Sequence, residues 1–446
     1  MIILEVILIT LLWIFTRDQI VNSTDSLRSQ RYPAYQDVNV MMLIGFGFLM
    51  TFIRSYAWSA ISYTFLTNAY IFQIYLLLLP FWNFVYDGNW GGANTTISVD
   101  ITSLILCSYA VASVLVAFGG VIGRVGPKDL IIIATFHIIG YSLNERLVFK
   151  EIGTVDGGCS TTIHTYGAYY GLTVCLVLAK KVKPITNIKI SYINNIFAFI
   201  GTLFLWLYYP SFNYASLATN DFEQNLIVVN TVLSLTGSVI GTYIVSALSF
   251  GRGLEMENIL NATIAGGVVM GAPCSFIYRP GLALFIGFTA GMISTFCFHN
   301  LTPKLLDWIG LYDTCGIHNL HGIPGLLGGI WSAIIVAFYS TGYDTTIAAM
   351  YGNQHFMFPA AHSFHFQGWL QIAGTLCSLG MSIAFGLIGG LVTLVFYKEK
   401  NKYFYLDTEY FENAHFREIY KADTGENLYL DQKAAARRER ERQQAG

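Results

Sequence analysis

The sequence predicts an all-α polytopic membrane protein of about twelve transmembrane helices, arranged as a five-plus-five inverted repeat with an extra N-terminal span. Three observations predict it. Hydrophobic residues make up 54% of the 446-residue chain and charged residues only 12%, with a mean hydropathy of +0.52. Long apolar segments recur as far as residue 397. A frame of Asp, His and Gly at fixed spacing occurs twice. An ordinary soluble domain carries about 25% charged residues. A soluble fold of this size has no interior large enough to hide so much apolar surface. The net charge of −2 offers nothing to nucleic acid, and no nucleic-acid partner is expected.

Crossing a ~30 Å hydrocarbon core takes about 20 apolar residues. Segments of that kind run near 2–16, 39–55, 57–82, 101–122, 129–149, 160–179, 195–210, 225–249, 258–273, 280–301, 317–339 and 371–397. The first is short, opens without Lys or Arg and contains Glu5, so it reads as a retained helix rather than a cleaved signal peptide. Positive charge sets the orientation. The loop with Lys180, Lys181, Lys183 and Lys189 and the loop with Arg124 and Lys128 fall on the same side as the charged tail. The loops 83–100 and 210–224, on the other side, contain no Lys or Arg. Arg17, Arg28 and Arg31 disagree, but the majority places both termini in the cytoplasm. Residues 1–397 then form the transmembrane domain and 398–446 a cytoplasmic tail, read as solvated, with a helix-favouring end.

Sequons at Asn22 and Asn94 fall in outside loops and are glycosylation candidates. Those at Asn261 and Asn300 fall within a span and at an inner boundary, and are expected to be bare. The seven cysteines form no CxxC pair and read as small apolar helix residues rather than disulfides or a zinc site. No metal or cofactor is expected. No nucleophile–base pattern appears, and the Gly-rich stretches lie inside apolar spans, so no enzyme is predicted. Glycines four apart, such as Gly167/Gly171, Gly267/Gly271 and Gly325/Gly329, predict closely approaching helices.

Ionisable groups inside a bilayer are costly and mark functional sites by default. Asp156 is followed eight residues on by His164 and then, after seven more, by Gly171; Asp313, His321 and Gly328 repeat the frame. Each Asp suits a helix N-terminus, where its carboxylate accepts from free backbone N–H groups. Eight helical residues rise about 12 Å, which puts each histidine near the midplane of a ~30 Å core. Five spans separate the two frames, so the helices enter from opposite faces. Inverted repeats of this kind place their site at the repeat interface near mid-bilayer, where His164 and His321 would meet. His318, one turn before His321, is expected on the inner half of the same path. His137 and His299 stand alone, His355, His362 and His365 lie in the long outside loop, and His415 is in the tail.

These segments resemble the ammonium transporter and Rh glycoprotein family, specifically its Rh branch. The resemblance rests on the two Asp-to-His segments, on 201–213 and on 261–267, and covers roughly 39–397. It implies a homotrimer in the plasma membrane, surrounded by lipid, in which each subunit carries its own narrow apolar pore for ammonia or ammonium. Two stacked aromatics would gate the outer mouth, here Phe212 below and Tyr109 above. The tyrosine replaces the usual phenylalanine, and its hydroxyl is expected to make the vestibule wetter. Leu172 is carried over to the place where the ammonium transporter branch has a Trp that captures ammonium by cation–π contact. Asn195 and Ser108 fall where many Rh proteins have vestibule aspartates, and His318 where an Asn is common. The alternatives are a channel for carbon dioxide or another small neutral gas, and a non-transporting Rh-antigen-like scaffold, whose members typically lack the two histidines.

Overall fold

The computed structural model describes residues 2–18, 31–88, 97–179, 191–216, 221–250, 253–339, 364–397 and 404–411. Every one of the twelve apolar segments contains a helix. They are α1 (Ile2–Phe15), α2 (31–52), α3 (Ala57–Asp87), α4 (Ile101–Val121), α5 (Pro127–Arg146), α6 (160–179), α7 (Tyr192–Tyr214), α8 (Asp221–Phe250), α9 (256–270), α10 (Pro280–Ile309), α11 (318–339) and α12 (Phe364–Phe396). A short α13 (Asp407–Tyr410) follows. Two three-residue strands, β1 (Thr16–Asp18) and β2 (Ile97–Val99), pair in parallel. Among the described residues, α3, α4, α7, α8, α10, α11 and α12 are each long and apolar enough to cross a membrane. The others are shorter, less apolar as α5 is, or interrupted by tighter or wider turns as α2 and α9 are.

The ends follow local chemistry. Asp100 closes a capping box with Ser103 at the start of α4. Proline opens α5 and α10, where its missing N–H costs nothing. α3 and α10 run past their predicted ends to Asp87 and Ile309, and stop where Gly88 and Gly310 take up left-handed conformations. α5 continues as a wider π turn over Leu147–Ile152.

α8 packs along α10, α6 against α4 and α12, and α11 against α12. Glycines make these seams possible. A Cβ on Gly167 or Gly171 would press on the α4 backbone at Ser113 or Ala117. The cysteines are all free, and six of the seven are buried.

Part of the tail departs from the solvated reading. Phe404, Tyr405 and Asp407 are buried against the bundle. Arg124, itself 1% exposed, places its guanidinium 4.9 Å from the Phe404 ring centroid and donates to the Tyr312 carbonyl at 2.7 Å. Tyr405 N–H donates to the carbonyl of Gly123, whose positive φ of 84° and close contact with Tyr56 exclude a side chain. The Asp407 carboxylate accepts from the backbone N–H groups of Trp58 and Ser59 and from the Ser59 hydroxyl, capping α3. The sequence concealed this docking because its partners lie hundreds of positions upstream.

Burial pushes the Asp407 carboxyl up to about 6, partly offset by the bonds from Ser59 and Trp58. A folded pKa above the unfolded value stabilises docking fully below the unfolded pKa of 3.8, and that contribution is lost as pH rises through about 6. Hydrogen–deuterium exchange, corrected for intrinsic rates, should therefore show the 404–411 segment opening less often at pH 5 than at pH 8. Asp407→Asn, which keeps an acceptor oxygen without a charge, should remove that difference. A difference that survives in the variant would assign the effect to another group.

Candidate functional site

The two repeated frames converge. His164 and His321 face each other with Nδ1 to Nδ1 at 3.1 Å, ring centroids 5.1 Å apart and planes within 9° of parallel. Both are buried, at 0% and 3% exposure. The local geometry differs from the straight helix expected. Gly157 and Gly158 turn the chain, and Cys159 takes a left-handed φ of 58°. The helix therefore begins only at Ser160. Its first stretch, Ser160–Thr165, is a π helix, and so is His318–Gly322 at the start of α11. Both histidines thus sit in wide turns, a type of turn found often at functional sites.

Each aspartate holds the turn that follows it. Asp156 Oδ2 accepts from the N–H groups of Thr161 and Thr162 at 3.0 and 2.9 Å, and from their hydroxyls at 2.6 and 3.0 Å. Asp313 accepts from the N–H groups of Ile317 and His318 at 3.0 and 2.8 Å. Arg124 reaches the carbonyl of Tyr312, next to Asp313, so the docked tail segment leans on the same corner.

Aromatic rings flank the histidines on both sides. Tyr109 and Phe212 lie 4.6 Å apart by ring centroid, and Phe212 lies 6.0 Å from His164. The Tyr109 hydroxyl, expected to face a wetter vestibule, is turned inward. It is buried and donates to the Phe212 carbonyl, which ties α4 to α7. On the far side, Phe46 stacks on His321 at 6.0 Å. His318 is partly exposed, edge-on to Tyr169 at 5.8 Å, with Nδ1 3.4 Å from Asn319 Oδ1.

Of the other carried-over positions, Leu172 and Asn195 fall away from the Tyr109–Phe212 pair and Ser108 lies beside it. Leu172 lies on α6 eight residues beyond His164, on the side away from Phe212 and one turn past Tyr169, which touches His318. Eight residues of helix rise about 12 Å, so Leu172 stands well along α6 from the end where Phe212 approaches His164. Ser108 adjoins Tyr109, and its hydroxyl is turned back to the Leu104 carbonyl. Asn195 is at the opposite end of α7 from Phe212. Asn22, Asn94, His355, His362 and His415 lie outside the described residues.

Sequence reasoning missed Tyr209. Its hydroxyl lies 3.2 Å from His164 Nε2 and its ring is edge-on to Phe212 at 5.8 Å. The signal was its place three residues before Phe212, on the same helix face. Phe46 left no sequence signal beyond apolarity. His137 is buried behind the pair, with Nε2 3.4 Å from the Ser113 hydroxyl, which is itself 3.4 Å from the Ile163 carbonyl.

A polytopic bundle in which two helices with matched starts bring paired imidazoles together beside an aromatic pair has the build of a transport protein. Comparison with known proteins agrees. The chain matches the Ammonium Transporter Family over residues 2–414 and belongs to that family. It is 39% identical over 368 residues to "Ammonium transporter Rh type C" of Xenopus laevis, covering 81% of this chain and 75% of that protein. The Homo sapiens protein of the same name is 40% identical over 381 residues, covering 81% and 74%. The structure of Nitrosomonas europaea Rh50, from the Rhesus protein family of channels, superposes with a TM-score of 0.73 at 29% identity, covering 93% of this chain and 99% of that one. Saccharomyces cerevisiae Mep2 shares the fold, with a TM-score of 0.65 at 18% identity over 82% and 85% of the two chains. The chain is a multi-pass integral membrane protein of the Rh branch.

Proposed function

We propose that the protein conducts ammonia across the membrane through a narrow apolar pore, with Tyr109 and Phe212 gating the outer mouth and His164 and His321 lining the centre. The observation that carries this reading is the buried imidazole pair, held Nδ1 to Nδ1 at 3.1 Å. An ammonium ion cannot shed its water into such a lumen without a cost of many kcal/mol, whereas neutral ammonia can. Ammonium therefore hands its proton back to the outside water at the gate, and only ammonia enters. The ammonia then passes two neutral rings, each offering one donor and one acceptor. One hydrogen shared between the facing nitrogens keeps the rings in register. Asp156 and Asp313 act by positioning their turns, and His318 lines the exit. The pore is formed by residues 1–397, in a homotrimer in the plasma membrane with both termini in the cytoplasm. Asn22 and Asn94 are available outside for glycans.

Stopped-flow uptake of ammonium by proteoliposomes, with membrane current recorded in parallel, tests this. Wild type should produce an ammonia-dependent rise in internal pH. His164→Ala and His321→Ala should slow it by about tenfold, the effect of losing roughly 1.4 kcal/mol of stabilisation along the path. Wild-type vesicles that respond no faster than empty ones would overturn the reading, and would favour a scaffold. Current that scales with ammonium would replace gas conduction with ion conduction.

A further inference from the structure

The hydrogen shared by the histidine pair has a direction, and we infer that Tyr209 sets it. Tyr209 is 1% exposed, and the only hydrogen-bond partner of its hydroxyl among the described residues is His164 Nε2, at 3.2 Å. A buried hydroxyl whose hydrogen finds no acceptor loses its full solvation without return. Among the described residues no other acceptor lies within its reach, so Tyr209 donates and His164 Nε2 accepts. A neutral imidazole carries one hydrogen. His164 therefore carries it on Nδ1 and donates to His321 Nδ1, 3.1 Å away. His321 in turn carries its hydrogen on Nε2. The order Tyr209 O–H to His164 Nε2, then His164 Nδ1–H to His321 Nδ1, leaves His321 Nε2–H as the free donor.

The tyrosine is held firmly enough to do this. Its ring lies against Gly267, where a Cβ would collide with it, and it is edge-on to Phe212. The hydroxyl thus closes the gate-side nitrogen of the pair and presents its own oxygen lone pair beside it.

This inference rests on the proposed pore, and it adds a basis for selectivity. A guest passing the pair meets an acceptor at the Tyr209 oxygen and a donor at His321 Nε2–H. Ammonia, with N–H donors and one lone pair, satisfies both. Carbon dioxide has no hydrogen to offer the tyrosine. Tyr209 is thus a positioning residue for the pair and a selectivity residue for hydrogen-bearing guests.

The test uses full-length protein labelled with 15N-histidine in lipid, with signals assigned by their loss in His164→Gln and His321→Gln. Nitrogen NMR of the wild type should show His164 protonated on Nδ1 and His321 on Nε2. In Tyr209→Phe both rings should lose that fixed order and show mixed tautomers. In vesicles the same variant should conduct ammonia roughly three- to tenfold more slowly, the range expected for one hydrogen bond, with carbon dioxide permeation unchanged. Wild-type protein with His164 protonated on Nε2 would overturn the inference without any variant. So would tautomers unchanged in Tyr209→Phe, or equal losses for both gases. Absence of ammonia flux in the wild type would overturn the pore instead, while the NMR arm would still decide the direction of the hydrogen.

Discussion

Asp156→Ala is expected to destabilise the protein by roughly 3 kcal/mol or more, because it strands two buried backbone N–H groups at once. One carboxylate oxygen takes all four bonds from Thr161 and Thr162. Both lie in the wide turn Ser160–Thr165 that carries His164, and Thr161 and Thr162 are both buried. Water cannot replace the lost acceptor without opening the bundle, so the turn must shift, and the His164 ring shifts with it. Conduction should fall at least as far as in His164→Ala. Asp156→Asn separates acceptor geometry from charge, since one amide oxygen can still receive both N–H groups. It should lose less than half as much stability. Thermal unfolding of the purified proteins, followed by the vesicle assay, checks both. An alanine variant that melts with the wild type would remove the aspartate from the framework of the site. An asparagine variant as damaged as alanine would assign the effect to charge.

The matched turns explain why so much of the site was legible. A bilayer forbids a carboxylate and an imidazole in apolar helices without cause, so Asp156, His164, Asp313 and His321 stood out against their surroundings. The twelve segments were legible for the same reason, since a span must be long and apolar whatever it packs against. What failed depends on partners distant in the chain. Tyr209 reads as one more aromatic in an apolar helix until His164 is placed 3.2 Å away. Arg124 reads as a loop cation until Phe404 and the Tyr312 carbonyl surround it. The π turns leave no mark in composition, because α and π turns use the same residues. Leu172 was placed by resemblance alone. Counting helical turns from His164 puts it beyond the pair rather than before it.

The second large effect is expected at Gly287, in the seam between α8 and α10. Glycines on each helix meet backbone on the other. Gly237 and Gly241 lie against the carbonyls of Leu284 and Phe288, while Gly287 and Gly291 lie against those of Ser234 and Ser238. A methyl on Gly287 would overlap the Ser234 carbonyl itself, which no rotamer change can move aside. The helices would have to part. Overpacking of this kind typically costs about 1–3 kcal/mol, and a rigid backbone target puts it at the upper end. The damage would spread, because the two helices also hold the site. Ser234 and Ser238 donate to the Gly266 and Ala262 carbonyls of α9, and Ser294 on α10 donates to the Asn319 carbonyl in the turn that carries His321. Gly287→Ala should therefore lower both the yield of monodisperse protein and its unfolding temperature, and slow conduction in whatever folds. Gly380→Ala is the control, since nothing lies within 4 Å of its added methyl. It should be neutral or slightly stabilising, as alanine favours the helix. If the two variants unfold at the same temperature, close backbone approach at this seam does not hold the bundle together, and the histidine pair must be kept in register by α6 and α11 alone.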